Sequence, residues 1–62
     1  MRLKELRLLR NLTQYELAKS LNIKRSTVAM WELGKSMPRS DKLQQLAEIL
    51  GCSIDDLYRK DN

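Results

Sequence analysis

The chain has 62 residues, 42 % of them hydrophobic, with twelve Lys and Arg against eight Asp and Glu, for a net charge of +4. That length leaves room for one small core and none for a second, and its apolar mass is too little for a buried cleft around a metabolite. Histidine is absent and Cys52 is the lone cysteine, which excludes an internal disulfide and removes the usual proton shuttle and a common metal ligand.

The pattern is helical nearly throughout, with proline only at Pro38 and few β-branched residues. Leu3 and Leu6 begin an apolar stripe that Arg10 flanks, predicting a first helix that ends near Asn11. Thr13-x-x-Glu16 is a capping box: the Thr hydroxyl takes an orphan amide of the new turn, and Glu16 answers to the cap's own N–H. Behind it Leu17, Ala18 and Leu21 share one face of a second helix. After the junction Ser20-Leu21-Asn22-Ile23, Val28 and Trp31 form the inner side of a third helix, which Gly34 stops in a left-handed backbone. Pro38 and Ser40 announce a fourth, with Leu43, Leu46, Ala47 and Leu50 at helical spacing, and Gly51 closes it. Ser53-x-x-Asp56 is a second capping box, opening a last helix with Ile54, Leu57 and Tyr58 inward.

These elements predict an all-α, compact five-helix domain over residues 1–62. Its expected inner set is Leu3, Leu6, Leu12, Leu17, Ala18, Leu21, Ile23, Val28, Trp31, Leu43, Leu46, Ala47, Leu50, Ile54 and Leu57. Cys52 reads as a small apolar filler. No apolar run approaches the ~18 residues of a membrane span and no cationic-then-apolar leader is evident, so a cytoplasmic location is expected.

Charge is unevenly spread. Residues 24–42 hold Lys24, Arg25, Lys35, Arg39 and Lys42 against Glu32 and Asp41, whereas residues 43–62 hold Arg59 and Lys60 against Glu48, Asp55, Asp56 and Asp61. A basic side suits a polyanion, although such an excess is also what a plain solvated face looks like. Two helices crossing steeply need a small residue, which Ala18 supplies, and a sharp turn needs a residue that tolerates positive φ, which Asn22 does. Val28 then locks the third helix against the second, leaving Lys24-Arg25-Ser26-Thr27 as its exposed start.

The stretches LTQYELAKSLNI, STVAMWELGK, the Pro that follows and LAEILGCSIDDLY, in this order and spacing, resemble the phage-repressor and Cro-like helix-turn-helix superfamily, the XRE family. The resemblance runs from about Leu3 to Tyr58, with the helix-turn-helix at about residues 14–33. It implies a lambda-repressor-like DNA-binding fold in which the second helix lies across the DNA backbone and the third enters the major groove. It further implies a sequence-specific transcriptional regulator, encoded by a bacterium or phage and acting at the nucleoid as a repressor that occupies an operator.

Carried over by position, the resemblance puts Gln14 on a phosphate and Arg25, Ser26, Ala29 and Met30 on base edges. Arg25 has the chemistry for this, since its planar fork donates two bonds to guanine O6 and N7. Met30 and Ala29 suit a thymine methyl, and Met30 reads equally as a surface residue at a helix edge. Lys24 and Thr27 look like phosphate partners; Lys35, Arg39 and Arg10 either flank the groove or are simply solvated. The resemblance makes Arg7 and Glu32 a partly buried structural ion pair. It also implies a homodimer on a palindromic double-stranded operator. The apolar residues of the last helix make Gly51, Cys52, Ser53, Ile54 and Tyr58 the expected contact surface of a weak dimer; Tyr58 reads equally as a cover on the core.

The chain departs from the family at Asn11 and Asn22, where Gly is common, and at Leu8 and Leu9, where polar residues are common. Leu9 is expected at the core boundary. Leu8 points outward, either as a scattered surface residue or as a contact with another chain. No constellation supports catalysis, and no cofactor, metal or small-molecule ligand is expected. The alternatives to operator binding are a protein-interaction module of the same fold and an antitoxin-like partner in a gene pair.

Overall fold

In the computed structural model, which describes residues 1–58, five α-helices follow one another: α1 (Leu3–Leu9), α2 (Gln14–Leu21), α3 (Arg25–Glu32), α4 (Ser40–Leu50) and α5 (Ile54–Tyr58). The charges at Arg59, Lys60 and Asp61 lie outside the described residues.

One device ends each of the first four helices. Asn11, Asn22, Gly34 and Gly51 all have positive φ, between 58° and 76°. The next residue's N–H then reaches back five positions: Leu12 to the Arg7 carbonyl, Ile23 to Ala18, Lys35 to Met30 and Cys52 to Ala47, at 3.0–3.1 Å. This closure satisfies carbonyls that the helix end would otherwise orphan, and an apolar residue just past the turn usually packs back on the core. Leu12, Ile23 and Cys52 do so. Lys35, after α3, is charged and exposed instead.

Two helix starts are closed as tightly. Thr13 Oγ1 accepts the Glu16 N–H at 3.0 Å while Glu16 Oε1 accepts the Thr13 N–H at 2.8 Å. Ser53 and Asp56 repeat the exchange at 3.1 and 3.2 Å. Further ties join distant parts of the chain. The Arg2 N–H bonds the Leu57 carbonyl at 2.8 Å, joining the N-terminus to α5. Lys42 Nζ reaches the Leu21 carbonyl at 2.9 Å, so that α4 caps the end of α2.

The stripes of all five helices meet in one cluster of Leu3, Leu6, Leu17, Ala18, Leu21, Val28, Trp31, Leu43, Leu46, Ala47, Leu50 and Leu57. Leu12, Ile23 and Ile54, expected in it, are only half-buried at its edge. Two expectations fail. Leu9 is not at the core boundary but 71 % exposed, more than Leu8 at 55 %, because α1 stops at Leu9 and its inward face is already filled by Leu3, Leu6 and the Arg7 side chain. Tyr58 does not point inward. It is 44 % exposed beside fully buried Leu57, one 100° step further round α5 and off its inward face.

Candidate nucleic-acid interface

The turn of Asn22 sets α3 against α2, with Ala18 and Val28 buried on their inner faces. This fixes where the start of α3 lies. Its cap residue, Lys24, makes no side-chain cap bond, and the first turn carries no acidic residue. Among the described helices only α3 lacks both. The Thr27 N–H bonds the Lys24 carbonyl at 3.0 Å, which leaves the amides before it to solvent or a ligand. Lys24, Arg25 and Ser26 are exposed there, and Thr27 is half-buried. One turn on, Ala29 is half-buried and Met30 exposed. Unpaired helix N–H groups with two adjacent cations form a positive end suited to an anion.

Behind that end runs a chain of hydrogen bonds. Arg7 is 6 % exposed and donates from Nη1 to the Leu12 carbonyl at 2.7 Å. Its other edge pairs with Glu32, Nε to Oε2 at 2.7 Å and Nη2 to Oε1 at 3.3 Å. Glu32 is equally enclosed, its side chain 6 % accessible. The same Oε1 accepts Gln14 Nε2 at 2.8 Å, and Gln14 Oε1 accepts Arg25 Nη1 at 3.2 Å. Arg7 and Glu32 thus join α1 to the end of α3. Gln14, expected to grip a phosphate, has both ends of its amide engaged inside the protein, although an amide N–H remains for a further acceptor.

Arg10 is tied to the end of α4. Its Nε donates to the Leu50 carbonyl at 3.0 Å, and a Cβ on Gly51 would meet its guanidinium. It serves as a cation at the end of α4, where freed carbonyls attract positive charge, and this bond engages one edge of the guanidinium expected on a phosphate. Lys35 and Arg39 are exposed at either end of the α3–α4 loop; Arg39 is the cap residue of α4 without a side-chain cap bond. Lys42 is no free cation either, being spent on α2.

Sequence reasoning did not single out Tyr15. It is exposed, and it lines two open grooves beside Arg25, one shared with Leu8, Leu12 and Thr13, the other with Ile23 and Lys24. The signal was its place directly after Gln14, one step around the outer face of α2.

At the opposite corner of the sequence pattern, Gly51, Ser53 and Tyr58 are exposed while Cys52 and Ile54 are half-buried. Partial burial raises the Cys52 thiol pKa, and the Asp56 carboxylate raises it further, against smaller lowering effects of Arg2 and Arg10. The thiol stays protonated at neutral pH and behaves as packing. Among the described residues no group of His, Cys, Asp or Glu could hold a metal ion, and no helix is long and apolar enough to cross a membrane.

Five helices, a fixed α2–α3 turn and an open, cationic start to α3 define a helix-turn-helix DNA-binding domain. The helix-turn-helix family model HTH_3 matches residues 3–57, and the chain belongs to this XRE-type family. It is 39 % identical over 57 residues to an uncharacterised HTH-type transcriptional regulator of Methanocaldococcus jannaschii, covering 92 % of this chain and 86 % of that protein. A second such regulator, from Archaeoglobus fulgidus, is 35 % identical over 57 residues, with 92 % and 80 % covered. The HTH-type transcriptional activator BcrR of Enterococcus faecalis is 36 % identical over 56 residues, which is 90 % of this chain but 28 % of that protein. No solved structure matches the chain.

Proposed function

We propose that the protein regulates transcription by binding a double-stranded operator, inserting α3 into the major groove and repressing by occupancy. The observation that carries this reading is the start of α3, exposed, cationic and without a cap of its own. Arg25, Ser26, Ala29 and Met30 read base edges; Lys24, Thr27, Lys35 and Arg39 hold phosphates. The named relatives support regulation of transcription, and BcrR, an activator, has most of its length outside the matched region. The site of action is the cytoplasmic nucleoid.

One small domain reads few base pairs, so a homodimer on a palindrome is part of the proposal, with half-sites about 34–36 Å apart. Exposed Tyr58 and half-buried Ile54, with Gly51, Cys52 and Ser53, offer its surface. The dimer is weak in solution and assembles on DNA. Sedimentation with and without the selected duplex checks it; a single protomer at saturation on the full palindrome would exclude it.

Selection of bound duplexes from a random pool tests the function as a whole. The expected result is an enriched palindrome with a G·C pair in each half-site, and no enrichment would refute operator binding. A second reading, a protein-interaction module, draws on exposed Leu8 and Leu9 at the end of α1. Leu8→Ser with Leu9→Ser leaves duplex affinity unchanged under the first reading.

A further inference from the structure

Glu32 sits at the last position of α3 and Arg25 at the first, so two helical turns, roughly 10 Å, separate them along the axis. They do not touch, yet Gln14 bonds both. We propose that Glu32 is a positioning residue for DNA reading: through Gln14 it fixes the direction in which Arg25 faces a base. The proposal rests on the operator-binding reading above and adds to it a cause for specificity inside the core.

Donors and acceptors fix the direction of the amide. A carboxylate only accepts and a guanidinium only donates, so the amide between them has one workable direction. Its NH2 faces Glu32 and its carbonyl faces Arg25; the flipped amide would set donor against donor and oxygen against oxygen. The direction of Gln14 is therefore dictated by Glu32, whose own carboxylate is held by the Arg7 fork. Arg7 in turn is anchored on the Leu12 carbonyl, at the turn between α1 and α2. The chain of bonds runs from a backbone group to an exposed guanidinium without a break. Only Arg25 Nη1 is used in it, which leaves the Nε and Nη2 edge for guanine O6 and N7. An unguided Arg side chain samples many rotamers, and ordering it before binding removes that cost from the recognition step.

A purely structural Arg7–Glu32 pair would affect stability and leave base preference alone. The test is base-by-base duplex competition at one salt concentration with wild type, Gln14→Ala, Arg25→Ala and the double variant. Gln14→Ala should flatten preference at the same base pair as Arg25→Ala, by about tenfold, and add nothing to it in the double variant. A second variant, Arg7→Met with Glu32→Leu, replaces the buried pair by apolar side chains, a change that folds commonly tolerate. It should flatten the same position several-fold; should it fail to melt cooperatively, Gln14→Ala decides. If wild type discriminates and Gln14→Ala discriminates equally well at that base pair, the relay is refuted while DNA reading stands. A wild type with no base preference anywhere refutes the DNA reading itself, and the relay with it.

Discussion

The two helices of the helix-turn-helix are each eight residues long, yet they begin in opposite ways. The start of α2 is closed by a reciprocal capping box, an acid in its first turn and a Gln tied to the Arg7–Glu32 pair. The start of α3 has Lys24 at the cap, Arg25 after it and no acid. Helix propensity does not explain the difference, because a Ser or Asp at position 24 would serve α3 alone better. One start is tied to the fold and the other is left for a partner. Stability and binding should therefore separate between the two ends.

The largest effect belongs to the closed end. Glu32→Ala leaves Arg7 buried without its partner and should cost about 3–5 kcal/mol in denaturant unfolding. A cost below about 1 kcal/mol would mean that water reaches Arg7 and that the two ends are less different than their geometry. At the open end, Arg25→Ala should leave the melting temperature nearly unchanged and cost about 1–3 kcal/mol against the cognate base in duplex competition. Equal loss on every sequence would reassign Arg25 to the backbone.

Thr13→Ala removes one half of the capping box and should destabilise by about 1 kcal/mol, with base preference at the Arg25 position retained. The smallest effect lies away from both ends. With the Cys52 pKa raised, its thiolate fraction at mildly alkaline pH is below that of a free thiol, so alkylation should be slower in the folded protein than in denaturant. The linkage has the matching sign: Cys52 has no influence on stability at neutral pH, and stability falls as pH climbs past the ordinary thiol range. Alkylation equally fast in both states would contradict the burial of this corner.

What could be read without coordinates was whatever depends on near neighbours. The spacing of Leu43, Leu46, Ala47 and Leu50 marks a buried stripe because a helix repeats every 3.6 residues. Asn22 and Gly51 mark left-handed turns because few residues accept that backbone. Both capping boxes lie within four residues. Bonds between distant elements were not legible in the same way. Lys42 and Leu21 are 21 positions apart, and Arg10 and Leu50 are 40 apart. Whether such side chains meet depends on crossing angles that no local pattern encodes. Arg10 therefore looked like a free cation near a basic face when it is in fact a cap. The Arg7–Glu32 pair was anticipated only through family resemblance. Gln14 shows both limits: its place at the start of α2 was legible, and its bonds to Glu32 and Arg25 were not.

If the start of α3 forgoes a cap because DNA occupies it, Lys24→Asp should trade binding for stability. An Asp there would cap the free amides and complement the helix dipole, for a gain of about 0.5–2 kcal/mol in stability. The same carboxylate would repel a phosphate, so affinity for the selected duplex should fall at least tenfold. A higher melting temperature and weaker DNA binding should appear together in the one variant. A variant that is more stable and binds the duplex as tightly as wild type would contradict it.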